Sequence, residues 1–447
     1  MDRKGPHEQM FAAWGAKAVQ LGGGHEKLAR SGRPAPLKLM TQAPADAATP
    51  VVSAFYDRFP YPGDPLEDGP PPGYNWRWCV DTALAFCTGS LPPRGPAAEP
   101  LRILDAGCGT GVSSDYLAHL NPGSELLAVD ISAGALAVAR ERLRRSGGDQ
   151  RSAVRIEQRS LLDLAGEGPF DYINSVGVLH HLRQPQAGLA SLAALLKPGG
   201  VLHLFLYADG GRWEIHRSQR ALGLLAVGTG TEGLRLGRQL FEMLPASNRL
   251  ARQQRERWAL DTAADANFAD MYLHPQETSY NLASLFAFVE SADLDFVGFS
   301  NPQIWDPARL LQGELLERAR ALPQRQQWQL VEELDPDISH FEFFLSRGPL
   351  AQSNWQADTS LLTARGRRNP CLWGWPGTAL LDSDMAPLDL SAEGFSLLQA
   401  LEAAGPDTAL GQLPLGWSES QLLATARTLL GQRVLLLQPP GAGAGAA

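Results

Sequence analysis

The chain has 447 residues, 44% of them hydrophobic, which is longer than one ordinary domain and enough for a sizeable core. Its formal net charge of -9 argues against a general nucleic-acid binder, because such a protein carries a basic surface. The 4 cysteines, Cys79, Cys87, Cys108 and Cys371, have no close metal spacing, no apolar run is long enough for a bilayer, and the N-terminus lacks the apolar core of a secretion signal, so a cytoplasmic protein without membrane contact is expected.

Residues 1–50 are rich in Ala, Gly and Pro with one helical patch, Glu8 to Leu21, and read as a flexible N-terminal arm without chemistry. Residues 51–99 read as a lid and linker: Phe55-Tyr56-Asp57-Arg58-Phe59-Pro60-Tyr61-Pro62 and Tyr74-Asn75-Trp76-Arg77-Trp78 are aromatic clusters stiffened by proline, and 90–99 is a Pro- and Gly-bearing connection. A short apolar strand, Leu101 to Leu104, then runs to the carboxylate of Asp105. It meets Gly107, Gly109 and Gly111 before a helix over Val112 to Leu120. Strand, glycine turn and helix in that order make a site where a ligand can lie against bare main chain and face free N–H groups. A second strand, Glu125 to Ile131, carries Asp130 roughly twenty residues on, where a doubly wound sheet keeps an acid for ribose hydroxyls. Phe170 to Val178 is a further strand, running into Leu179-His180-His181-Leu182. A helix follows over Pro185 to Leu196, then Lys197-Pro198-Gly199-Gly200 and a strand over Val201 to Tyr207. This alternation of apolar strand and helix predicts a parallel sheet.

After Tyr207 a helical region extends to about Asn267, too long for an ordinary connection. Phe268 to Pro275 then gathers Asp270, Tyr272 and His274 in a short stretch ahead of a helix whose cap is Thr278 or Ser279. Leu294 to Ser300 and His340 to Ser346 alternate as strands, with helical segments between Pro307 and Leu334. The tail from about Gln352 holds helices over Ala392 to Ala403 and Ser418 to Leu430 and a strand over Arg433 to Gln438, an arrangement similar to a winged helix. Its acids outweigh its arginines, so a partner-binding or homodimerising module is expected rather than a nucleic-acid reader. Residues 441–447 are low-complexity and read as a disordered tail.

Leu104-Asp105-Ala106-Gly107-Cys108-Gly109-Thr110-Gly111, Ala128-Val129-Asp130-Ile131-Ser132, Phe170 to Leu182 and Leu196-Lys197-Pro198-Gly199-Gly200 stand in one order, and together they resemble the class I S-adenosylmethionine-dependent methyltransferases. The chain is also similar to a little-characterised bacterial group with a Pro-Tyr-Pro-like segment ahead of the fold. The resemblance implies an α/β fold: a doubly wound, seven-stranded, Rossmann-like methyltransferase sheet over 100–350, with a helical insertion at about 210–280 and a small C-terminal module at 351–440. Leu294 to Ser300 would be its sixth strand and His340 to Ser346 its antiparallel seventh. It implies S-adenosyl-L-methionine as cofactor: Asp105 orienting the methionine amino group, the backbone of Gly107, Cys108, Gly109, Thr110 and Gly111 along the carboxypropyl arm, Asp130 on the ribose, Ile131 and Ser132 beside the adenine, and Asn174 and Ser175 beside the sulfur. Ser160 stands where the family keeps an acid for the adenine edge, which leaves Ser160, the backbone of Leu161, and Asp163 as candidates. Phe55, Tyr56, Tyr61 and Trp78 either wall the pocket or pack the lid onto the sheet edge.

A sulfonium methyl is already activated, so holding a small-molecule or protein acceptor in line and excluding water is sufficient chemistry, and a base is needed only for weakly acidic acceptors. His180, His181, Asp270 and His274 are the candidate catalytic residues, with one histidine of the pair alternatively a packing residue of the turn. A metal site is not expected, since adjacent histidines point differently and no acid cluster surrounds them in sequence. The rival readings are an NAD(P)-dependent oxidoreductase, which favours glycines spaced G-x-G-x-x-G and has no use for Asp105, and a non-catalytic S-adenosylmethionine-binding regulator.

Overall fold

The computed structural model describes residues 49–92 and 99–440. The expectations for the N-terminal arm up to residue 48, for 93–98 of the linker and for the tail from 441 lie outside the described residues.

Seven strands form one sheet in the order β3-β2-β1-β4-β5-β7-β6. They are β1 (Arg102–Ala106), β2 (Glu125–Asp130), β3 (Ala153–Gln158), β4 (Phe170–Val176), β5 (Leu196–Tyr207), β6 (Asp295–Phe299) and β7 (His340–Ser346). The first five pair in parallel, and β7 runs antiparallel between β5 and β6. Helices cover both faces, so the central strands are apolar almost throughout instead of alternating. One core packs Leu104, Leu127, Ile173, Leu204 and Phe343 against the helices Pro185–Leu195 and Leu282–Glu290. On the other face Ile103, Leu126, Tyr172 and Phe344 meet Trp76, Trp78 and Leu117.

Two boundaries differ from the sequence reading in ways that shape the site. β4 stops at Val176, because Gly177 turns the chain with φ 75°, so Val178 belongs to the loop. Asp265–Leu273 is a helix, which places Asp270 on a rigid element and leaves His274 just beyond its end. The next helix, Leu282–Glu290, is capped by Asn281 rather than by Thr278 or Ser279: the Asn281 side chain accepts from Ser284 N–H while Ser284 Oγ accepts from Asn281 N–H.

The insertion folds as four helices, Trp213–Leu224, Thr231–Met243, Arg249–Glu256 and Asp265–Leu273. Its apolar side, Ile215, Leu222, Leu234, Trp258 and Phe268, receives Phe55 and Phe59 from the helix Thr49–Arg58. Residues 358–438 surround a separate core of leucines that includes Leu361, Leu397, Leu401 and Leu429. There the strands Arg365–Arg368 and Leu435–Gln438 pair antiparallel.

Candidate active site

The glycine turn takes its shape from three residues in the left-handed region: Gly107 at φ 84°, Gly109 at 53° and Gly111 at 80°. A Cβ on Gly107 would sit 2.3 Å from Val178, and one on Gly109 would sit 2.3 Å from the carbonyl oxygen of Tyr61. The turn is therefore shaped by what crosses it as well as by its own backbone. Asp130 at the end of β2 locks it from the side, its carboxylate accepting from Gly109 N–H and Ser132 N–H, both at 2.9 Å.

One cavity runs along the carboxyl edge of the sheet. At one end Gly107, Cys108, Gly109, Asp130, Ile131, Ser160 and Leu161 line it, seven of the residues expected at the cofactor. At the other end His181, Tyr207, Arg212, Trp258 and Asp270 line it, and Tyr56, Tyr61 and Trp78 wall it as well. The bare glycine backbone, an acid held by main-chain donors and an adjoining apolar wall fit S-adenosylmethionine. Burial raises the Asp130 pKa, and the N–H bonds from Ser132 and Gly109 oppose that rise.

The remaining expected residues lie behind the cavity wall. Thr110 ties the turn to the segment after the helix Thr49–Arg58, its N–H donating to Tyr61 O at 3.0 Å and its hydroxyl to Pro62 O at 2.7 Å. Gly111 opens the helix Val112–Leu120, and Ser132 caps the helix Ala133–Ser146 while donating to Asp57 at 2.7 Å. Asp105, Asn174 and Ser175 are beneath the floor: Asp105 is 1% exposed and Asn174 and Ser175 are 0%. Asp105 accepts from Ser113 Oγ at 2.7 Å, Ser114 Oγ at 2.6 Å and Asn174 Nδ2 at 2.8 Å, and Ser175 donates to Ala106 O at 3.0 Å. Val176, Gly177 and Val178 line the cavity where Asn174 and Ser175 were expected, because the ligand edge lies beyond the strand end. Arg159, Asn75, His340 and Glu342 also reach the cavity without having been singled out. The last two come from the antiparallel strand, whose start lies at the same edge, and no local motif marks them.

The histidine pair divides. His180 is 0% exposed, its ring is stacked 3.9 Å from that of Tyr207, and neither ring nitrogen has a hydrogen-bond partner. Burial, then the neighbouring His181, holds its pKa well below the usual imidazole value. This is a packing residue and not a group on the cavity. His181 lines the cavity, with Nδ1 at 2.8 Å from the carbonyl of Gln276. A carbonyl only accepts, so Nδ1 carries the hydrogen and Nε2 keeps a lone pair. Asp270, 2% exposed, accepts from Tyr56 at 2.7 Å and Tyr207 at 3.3 Å, and burial raises its pKa. Arg212 lies over the Tyr207 ring at 3.4 Å and pairs with Glu277 at 2.9 Å. Burial pushes the Glu277 carboxyl up, but Arg212 and His216 bring it down to about 2.

Contrary to the sequence argument, an acid and a third histidine do surround His181: one ligating atom each of His181, Asp270 and His274 lie within 4.8 Å of one another. Their hydrogen bonding suits proton handling better than metal ligation. His274 Nδ1 accepts from Gln276 N–H at 3.1 Å, which puts the hydrogen of a neutral ring on the unpartnered Nε2. Both hydroxyls on Asp270 further occupy its oxygens.

The family model described as a methyltransferase domain matches residues 104–202. An uncharacterised protein of Synechococcus sp. is 49% identical over 400 residues, spanning 88% of this chain and 94% of that protein. A ubiquinone biosynthesis O-methyltransferase of Xanthomonas axonopodis pv. citri is 34% identical over 149 residues, which are 32% of this chain and 54% of that enzyme. The solved structure of PKMT2 from Rickettsia typhi matches with a TM-score of 0.57 at 18% identity, over 83% of this chain and 77% of that one. A second structure of that protein is a complex with AdoHcy.

Proposed function

Since the chain belongs to the class I S-adenosylmethionine-dependent methyltransferases, we propose that it transfers a methyl group to a small-molecule or protein acceptor by in-line displacement. The observation that carries this reading is the single cavity with the glycine turn and Asp130 at one end and His181 and Asp270 at the other. S-adenosylmethionine, when bound, supplies a methyl already activated on sulfonium sulfur. The chain's own work is to grip, to exclude water and to handle a proton.

In this reading Asp130 holds the ribose hydroxyls, Ser160 and the Leu161 backbone meet the adenine, and the turn from Gly107 to Gly109 lies along the methionine arm. Asp105 provides the negative charge for the methionine ammonium from beneath the floor, with Ser113, Ser114 and Asn174 steadying it. Nε2 of His181 takes the proton of an O–H or N–H acceptor, and the Asp270 charge close by favours the imidazolium so formed, as the acid of a catalytic triad does. Tyr56, Tyr61 and Trp78, carried by the lid, exclude water. A second copy of the chain, met through residues 351–440, is the partner this reading expects. Calorimetric titration with S-adenosylmethionine, followed by incubation with a labelled methyl donor and extract, tests it. Saturable binding with label appearing on an acceptor is the expected result; no binding of the donor overturns it.

A further inference from the structure

The sheet register sets Asp105 of β1, Asn174 of β4 and His203 of β5 side by side across three adjacent strands. Their hydrogen bonds admit one assignment of protons. The indole N–H of Trp78 can only donate, and it lies 3.0 Å from Asn174 Oδ1, so that atom is the amide oxygen. The amide nitrogen accordingly faces Asp105 Oδ1 at 2.8 Å. His203 Nδ1 is 2.9 Å from the same Asn174 oxygen and must donate to it. On the other side of the ring, Nε2 lies 3.2 Å from Glu342 Oε1.

A neutral imidazole has one N–H for these two acceptors. With Nδ1 protonated, its Nε2 lone pair would face a carboxylate oxygen at 3.2 Å, on a ring that is 0% exposed. A proton must therefore sit between His203 and Glu342. Glu342 Oε2 forms an ion pair with Arg77, 2.6 Å from its Nε, and accepts from the Ser300 hydroxyl at 2.5 Å. Burial pushes the Glu342 carboxyl up, but Arg77 and His203 overcome it and hold the group well below the usual carboxylate range. The proton thus belongs to the ring. Burial holds the His203 pKa below the usual imidazole value although Glu342 works against it; the case for the charged form rests on the geometry, an acceptor oxygen facing each ring nitrogen. Arg77, Glu342, His203 and Asp105 then alternate in sign along one face of the sheet, with the Phe344 ring stacked on His203 at 5.1 Å.

We infer that His203 stands as an imidazolium in the sheet core and is a positioning residue for the methyl donor, keeping Asp105 ionised through Asn174 although it touches no ligand itself. The inference rests on the reading of Asp105 as the partner of the methionine ammonium. Burial already raises the Asp105 pKa, with His203 among the influences that lower it. Removing that charge moves Asp105 towards a neutral acid, which an ammonium no longer attracts. The groups facing the relay are Arg77 on the turn Trp76–Trp78 with Asp384 at 4.0 Å behind it, Ser113 and Ser114 on the helix Val112–Leu120, Ser300 after β6, and Glu342 and the buried His340 on β7.

Two measurements on the full chain test it. In long-range proton–nitrogen spectra of histidine-labelled protein, the ring close to Phe344 is expected to hold hydrogens on both nitrogens from pH 6 to 9; one bare nitrogen overturns the inference and needs no variant. S-adenosylmethionine binding to His203→Gln is expected to be about tenfold weaker at pH 6 and to recover towards about pH 7.5, below the titration of the donor's own amino group, whereas wild type stays flat over that interval. A variant that follows the wild-type curve at every pH also overturns it. Asp105→Asn separates the two ideas: wild-type affinity in that variant removes the Asp105 reading, while the spectra still decide the state of His203.

Discussion

Asp130 is the residue on which both the turn and the ribose reading depend, since two backbone donors fix its carboxylate beside the cavity. Asp130→Ala is expected to weaken S-adenosylmethionine binding by about 1 to 3 kcal/mol, the scale for hydroxyls that lose a buried acceptor. Calorimetry measures it, and Asp130→Asn, which keeps the shape of the side chain, should fall between. His181 is expected to behave oppositely. His181→Ala leaves donor affinity unchanged and lowers the turnover of an O–H or N–H acceptor by about 10²-fold or more, the range of a lost general base. Equal losses in binding and turnover would instead make it a structural residue. The sequence displayed both of these side chains because each stands at or beyond a strand end inside a recognisable motif. It misled over Asn174 and Ser175, which stand in the same motif as His181. A strand pattern buried on both faces does not tell which residue is the last to pair, and Gly177 ends β4 just before the chain reaches the ligand edge.

Among the elements, the helix Thr49–Arg58 and the segment after it lie across the glycine turn through polar contacts that only the folded chain reveals. Asp57 accepts from Ser132 Oγ at 2.7 Å and Gly134 N–H at 3.0 Å, Ser53 donates to Ile131 O at 3.0 Å, and Arg142 reaches Thr110 O, Asp64 O and Pro65 O. Asp57 faces the N-terminus of the helix Ala133–Ser146, so its charge also meets the positive end of the helix dipole. Asp57→Ala is expected to cost about 1 kcal/mol of stability and to open 49–65 to limited proteolysis, with S-adenosylmethionine restoring protection. Unchanged digestion would mean the apolar contacts of Phe55 and Phe59 alone hold the lid. The aromatic and proline spacing marked this segment as one that either walls the pocket or packs on the sheet edge, and Tyr56, Tyr61 and Trp78 do line the cavity. Its partners were not, because Asp57 and Ser132 carry no pattern that links them. The helix Asp265–Leu273 escaped for a related reason: Asn267 and Asp270 are polar and yet buried, so the helical period of apolar residues that would announce it is broken at residues that line the cavity.

At the scale of the whole molecule, long-range contacts tie the C-terminal region to the sheet and could not be read from either segment alone. Trp76 Nε1 donates to Asp384 at 3.0 Å, Leu91 N–H to Leu437 O at 2.7 Å, and Cys371 shares a core with Cys79. Net charge and composition give no access to the balance of buried ionisable groups, and that balance sets how stability varies with pH. His180 and His274 are both held well below the usual histidine value by burial, so the folded state binds fewer protons than the unfolded one below about pH 6.5. Stability from each is complete above that value and is lost as pH falls towards the folded pKa. The loss is about 1.4 kcal/mol per group at pH 5.5. Buried acids such as Asp115, raised by burial to about 6, act in the opposite sense over the same interval. Glu277, near 2 in the fold, keeps its full contribution until pH drops below about 4.5. A single melting curve against pH therefore mixes these terms, and a paired comparison separates them. His180→Phe keeps a ring against Tyr207 and removes one titrating group, so the melting temperature of the variant relative to wild type should rise steadily between pH 7 and 5.5. A constant difference across that interval would mean that His180 takes up its proton in the folded protein as it does in the unfolded chain, and the tyrosine-stacked, unpartnered ring described for it would be wrong.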